Sequence, residues 1–202
     1  CDMLSLTAYA QTELIVKKSL FLAEAFPIEK AEDAKKILKE QRAKHKGARH
    51  VVSAFIVGNK GEVQGSSDDG EPKGTAGRPT LAVLQHKNTT NIMLTTTRWF
   101  GGILLGRGGL VRAYTESAQN VVQLATFEER ISKSSFKLKC AYSESNIVSF
   151  LLEQNDASII NIEYGEEVVF CFSILETDED ALILLMKERM QNISIEKTHS
   201  LS

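Results

Sequence analysis

Five glycines fall within nine positions of one segment: Gly101, Gly102, Gly106, Gly108 and Gly109 in RWFGGILLGRGGLVRAY, Arg98–Tyr114. Glycine adopts positive φ without strain and lets the backbone approach other groups closely, but each one costs conformational entropy on folding. So dense a cluster specifies a backbone shape between an apolar run, Ile92–Thr97, and a helical pattern that begins at Leu110. Two readings fit. In one, unpaired N–H groups at a helix N-terminus face an anion, and Arg98, Arg107 and Arg112 add formal charge. In the other, the glycines make a tight strand-to-helix packing turn. The spacing is not the dinucleotide-binding G-x-G-x-x-G pattern.

A second segment, GSSDDGEPKGTAGRP (Gly65–Pro79), holds four glycines, two prolines, three acids and two bases. That composition describes a loop of specified shape. It leads into a helix over Thr80–Gln85 with a proline near its first turn. Asp68, Asp69 and Glu71 are the best-clustered carboxylates in the chain. They are candidates for a divalent cation or for acid–base work, although the spacing is not that of an EF-hand. Gly70, Thr75, Gly77 and Arg78 complete this loop site. His50 is a candidate base or a packing residue, and no G-x-S-x-G, H-E-x-x-H or Walker-type pattern occurs.

Elsewhere in the first half, Glu13–Val16 and Leu20–Phe26 read as a hairpin across Lys17-Lys18-Ser19. Ala31–Lys46 carries an apolar stripe at helical spacing and ends in Arg42, Lys44, His45 and Lys46, which complement the helix dipole. Val51–Val57 and Glu62–Gln64 read as paired strands, Asn91–Thr97 as a strand, and Leu110–Ala125 as a helix.

From residue 134 the pattern becomes regular. Strands at Phe136–Tyr142, Ala157–Tyr164, Val168–Leu175 and Ile193–His199 alternate with helices at Glu144–Gln154 and from Thr177, as N-cap, to Gln191. The order is βαββαβ, a ferredoxin-like unit.

Charge supports the same division. Residues 1–130 carry 18 Lys and Arg against 14 Asp and Glu, whereas residues 131–202 carry 6 against 12. Opposite signs suggest two domains with different partners, nucleic acid for the first and a docking protein for the acidic second. A hydrophobic fraction of 43% and a charged fraction of 25% describe a globular chain and exclude a disordered tail. No apolar run reaches bilayer length, and the N-terminus lacks a secretory layout, so a cytoplasmic protein without membrane contact is expected. Cys1 raises a lipoprotein reading that the lack of a lipobox before it opposes. With Cys140 and Cys171 it makes an odd count without C-x-x-C spacing, which favours reduced, structural thiols.

Ser66–Pro79 and Arg98–Tyr114 closely resemble the two signature segments of the IMPACT family, including its bacterial YigZ-like branch. The resemblance spans nearly the whole chain. It implies an α+β protein of two domains: an IMPACT N-terminal-type domain over 1–130 with the ribosomal protein S5 domain 2-like fold, then a ferredoxin-like domain over 131–202. Eukaryotic relatives regulate translation and carry a further N-terminal domain, and RNA or ribosome association is the usual proposal for bacterial members.

Two functions follow as expectations. The first is a non-enzymatic, translation-associated binder of RNA or the ribosome, in which the loop amides and the three arginines meet phosphates and Trp99 or Phe100 stacks on a base. The second is an enzyme or binder acting on a phosphorylated small molecule or nucleotide, with the glycine loop holding the anion and Asp68, Asp69 or Glu71 holding a cation or moving a proton.

Overall fold

Apolar, β-branched runs punctuated by tight turns fold the first unit, Cys1–Arg130, mainly as strands. In order they are β1 (Met3–Leu6), β2 (Ala10–Val16), β3 (Ser19–Pro27), β4 (His50–Val57), β5 (Val63–Ser67), β6 (Thr89–Thr90), β7 (Ile92–Trp99) and β8 (Phe127–Arg130). Helix α1 (Ala31–Lys44) follows β3, α2 (Gly77–His86) follows β5, and α3 (Gly106–Leu124) follows β7. The computed structural model describes residues 3–199, so Cys1 lies outside the described residues.

The main sheet has the order β2-β3-β7-β4-β5 with every neighbouring pair antiparallel. Lys17 and Lys18 both take left-handed φ, 46° and 67°, as a two-residue hairpin turn between right-twisted strands requires. Register then decides which side chains face which helix. Ala23, Ala25, Ala54, Ile56 and Leu94 share one face and pack against Leu84 of α2 and Ala118 and Val121 of α3. Met93 and Val57 face the other way and pack on Ala34 of α1. Each fully buried Leu or Val there contributes roughly 1.5–3 kcal/mol of transfer energy.

A polar row also lies under α1. Buried Glu24 accepts from Tyr9 Oη at 2.6 Å and from the Gln41 amide, while Gln41 Nε2 reaches Thr95 Oγ1 at 3.0 Å. Burial, then the hydrogen bond and charge of Glu24, push the Tyr9 phenol up. His45 stands 3.3 Å from Glu24 and edge-on to Trp99, so it packs against the sheet instead of extending into solvent from the helix end.

A small sheet of order β6-β1-β8 adds strands that periodicity does not reveal, because two to four residues are too few to show alternation. Helix boundaries also differ from the sequence reading. α1 ends at Lys44, α2 begins at Gly77, and α3 begins at Gly106 instead of Leu110.

The second unit, Ile131–Ser202, contains β9 (Lys133–Cys140), α4 (Ser145–Gln154), β10 (Ser158–Tyr164), β11 (Val168–Leu175), α5 (Glu179–Arg189) and β12 (Ser194–Thr198). Its antiparallel sheet, β10-β11-β9-β12, has the ferredoxin-like order. Phe136, Leu138, Phe170 and Phe172 form the core with Val148, Leu152, Leu182 and Met186. Thr177 is not the N-cap expected, since α5 starts at Glu179 after a short turn and carries no side-chain cap. The helix stops at Arg189, where Met190 turns extended and buries its side chain in that core. Cys140 is buried and Cys171 half-buried, both as free thiols, and burial followed by Glu144 and Glu167 pushes the Cys140 thiol up.

Candidate functional site

Strand register places Phe21, Arg98 and His50 directly beside one another across β3, β7 and β4, on the face covered by α2 and α3. Arg98 is only 5% exposed, which desolvates its charge and demands a partner. Glu71 supplies it. The Arg98 Nη1 group donates to Glu71 Oε1 at 2.7 Å, and Tyr114 Oη of α3 donates to the same oxygen at 2.7 Å. Tyr114 is fully buried and packs edge-on against Phe21 at 5.2 Å. Burial, then the charge of Glu71 and the hydrogen bond to it, push its phenol up. The Arg98 guanidinium also lies 5.7 Å from the ring centres of Phe21 and Phe100, while its Nε has no hydrogen-bond partner among the described residues. His50 faces Glu71 at 3.7 Å through Nε2, and its Nδ1 donates to the Asp69 carbonyl at 2.7 Å.

The carboxylates of the second segment go to three separate sets of donors. Asp68 accepts the Gly74, Ala76 and Gly77 amides at 2.9, 3.2 and 2.8 Å, and so caps the start of α2 from a distance. Asp69 accepts from Arg42 at 2.7 Å and from the Val51 amide at 2.8 Å. Glu71 is committed to Arg98 and Tyr114. Among the described residues no group of three or more His, Cys, Asp or Glu is gathered as a cation would need. Asp68, Asp69 and Glu71, neighbours in sequence, are turned toward different partners by the turn at Asp69 and Gly70, both at positive φ. Thr75 bonds the Pro72 carbonyl at 2.5 Å, Gly77 is buried against the Ser67 backbone, and Arg78 is exposed.

The glycine segment divides by role. A Cβ on Gly101 would fall 2.0 Å from the Lys18 carbonyl carbon, so this glycine permits the β7 end to close on the β2–β3 turn. Its amide donates to Ser19 Oγ at 3.2 Å. Gly102 and Gly106 have φ of 88° and 73° with open space beside them. Gly106, Gly108 and Gly109 lie within the first turn of α3, where the N-cap residue, Leu105, supplies no side-chain cap. Packing thus requires glycine at Gly101, whereas Gly102 and Gly106 use its freedom at positive φ.

The three arginines divide likewise. Arg98, expected to meet phosphate, is internal and pairs with Glu71. Arg107 and Arg112 are exposed, and Arg107 Nη2 donates to the Lys73 carbonyl at 2.9 Å, a second tie between the two segments. Phe100 is 37% exposed with the Arg49 guanidinium 4.8 Å from its ring centre, while Trp99 turns to the α1 face against His45. Leu104, at 80% exposure, tops the segment. Sequence reasoning missed Tyr114 as a hydrogen-bonding group, because helical spacing assigns it to the apolar face. It also missed Arg49 as the neighbour of Phe100.

The family model described as the Impact N-terminal domain matches residues 17–122, which include both segments. The chain belongs to the IMPACT family. A model described as a domain of unknown function (DUF1949) matches residues 138–192. The chain is 38% identical over 151 residues to IMPACT family member YigZ of Escherichia coli strain K12, covering 74% of each. It is 34% identical over 176 residues to an IMPACT family member of Haemophilus influenzae, covering 86% of this chain and 85% of that one. A crystal structure of a hypothetical protein matches 98% of each chain at 29% identity with a TM-score of 0.64. Among the described residues no helix is long and apolar enough to cross a membrane.

Proposed function

We propose that this IMPACT-family protein is a non-enzymatic, translation-associated binder of RNA or the ribosome through its first domain. The observation that carries the reading is the start of α3, with Gly106 and Gly108 exposed, no side-chain cap from Leu105, and Arg107 and Arg112 exposed on the first two turns. Helix amides and guanidiniums together are suited to phosphate oxygens, which dominate RNA affinity without selecting sequence. Arg98, Glu71 and Tyr114 serve beneath this surface as positioning residues that fix β7 against α3. Phe100, held beside Arg49, is the aromatic available to an unpaired base. Family resemblance supports the translational setting, which is a cytoplasmic one. Titration of fluorescent single-stranded RNA and of ribosomes across salt tests the reading. Affinity that falls steeply with salt supports it, and absence of binding to both contradicts it.

A further inference from the structure

The turn between β7 and α3 is apolar where connecting loops are usually polar. Phe100, Ile103 and Leu104 are 37%, 41% and 80% exposed, and no residue from Arg98 to Thr115 is acidic. Single exposed apolar side chains are ordinary, but several on one turn mark a contact surface. Both ends of the turn are anchored. Gly101 packs on the Lys18 backbone, and its amide donates to Ser19 Oγ at 3.2 Å. Leu105 is buried in the core cluster that holds Phe21 and Tyr114. Between these anchors the chain has only Gly102, Ile103 and Leu104, and Gly102 turns it at a φ of 88°. So short a span between fixed points holds Ile103 and Leu104 outward before any partner arrives, which lowers the ordering cost of contact.

Cations stand at the base of this tip. The Arg49 guanidinium lies 4.8 Å from the Phe100 ring centre, and exposed Lys18 adjoins Gly101 through its backbone. Exposed Arg107 and Arg112 follow on α3, and exposed Lys73 carries the carbonyl that holds Arg107. An aliphatic point in a cationic collar matches a polyanion with apolar slots between its charges. Unpaired RNA has that pattern, with base faces spaced along a phosphate chain. A duplex closes the slots by stacking and must be unstacked before an aliphatic side chain can enter.

On the RNA-binding reading above, we infer that Ile103 and Leu104 form a wedge that enters between unstacked bases, so that the protein takes unpaired RNA in preference to a duplex. Phe100 stacks on a neighbouring base while Arg49, Arg107 and Arg112 meet the flanking phosphates. An aliphatic wedge has no hydrogen-bonding group to read base edges, so the preference is for unpaired structure and not for base order.

One short RNA strand, alone and annealed to its complement, tests this on the full chain with Leu104→Ser, Ile103→Ser and Arg107→Ala beside wild type. Wild type should bind the unpaired strand at least about tenfold tighter than the duplex. Both tip variants, checked for an unchanged melt, should bring the two affinities together and keep the salt slope, whereas Arg107→Ala should weaken both RNAs alike and reduce it. A strand carrying a fluorescent adenine analogue whose emission rises on unstacking should brighten with wild type and not with Leu104→Ser. Equal wild-type affinity for strand and duplex overturns the wedge while leaving RNA binding in place. A preference that survives in both tip variants does the same, and leaves the tip to a protein partner with an apolar pocket and an acidic rim. No binding of either RNA overturns the wedge and the RNA-binding reading together.

Discussion

The Arg98 guanidinium and the Glu71 carboxylate meet at 2.7 Å with more than nine-tenths of each residue buried, joining the glycine segment to the carboxylate loop from within. Removing one partner leaves the other charge uncompensated, which costs about 3–5 kcal/mol. Glu71→Ala is expected to lower stability by that amount. Tyr114→Phe, which removes one hydrogen bond to a charged acceptor, is expected to cost about 1.5–3 kcal/mol. Urea unfolding of both variants beside wild type reads these losses, and a neutral Glu71→Ala would show that the pair does not hold the segments together.

Asp68 gives a pH signature. Burial raises its carboxyl, but amide hydrogen bonds from Gly74, Gly77 and Ala76 and the charge of Arg78 outweigh that and hold it below the ordinary 3.8. A group depressed on folding stabilises above its unfolded value and loses that contribution as pH falls through the folded one. Stability should therefore drop as pH goes below about 4, within the ordinary carboxylate range. Asp68→Ala should remove this part of the drop and, as a lost helix cap, cost about 0.5–2 kcal/mol at neutral pH. Unfolding curves between pH 3 and 7 measure both effects.

The glycines make opposite predictions at two positions. Gly101→Ala forces a methyl group into the Lys18 backbone and is expected to destabilise by at least about 1–3 kcal/mol, as overpacking does. A methyl group on Gly108 meets nothing nearer than Arg112 Nη2 at 3.9 Å, so Gly108→Ala should stabilise α3 by about 0.5–1 kcal/mol. Thermal melts of the two variants should shift in opposite directions.

Long, periodic elements were legible in the sequence. The α1 stripe, the strands flanking the glycine segment and the βαββαβ order all follow from spacing, and the two motif segments marked the family. The short sheet of β1, β6 and β8 was hidden because its strands are shorter than the period needed to see them. Within the site, Gly101 through Gly109 announced an unusual backbone, but which glycine packs and which opens depends on the distant Lys18–Ser19 turn. Arg98 looked like a surface cation because its partner, Glu71, is 27 residues away on another loop. Pairing across that distance comes from strand register and loop closure, neither of which local composition encodes.

Binding of single-stranded RNA by the full chain, measured as the logarithm of affinity against the logarithm of salt, tests the central claim most directly. Arg107→Ala and Arg112→Ala should each weaken binding and reduce the magnitude of the slope by about 1, as loss of a phosphate contact does. The melt of Arg112→Ala should stay at the wild-type temperature, whereas Arg107→Ala also loses the exposed bond to the Lys73 carbonyl and should cost at most about 0.5–1.5 kcal/mol. Salt-insensitive binding, or slopes identical in wild type and both variants, would contradict the account.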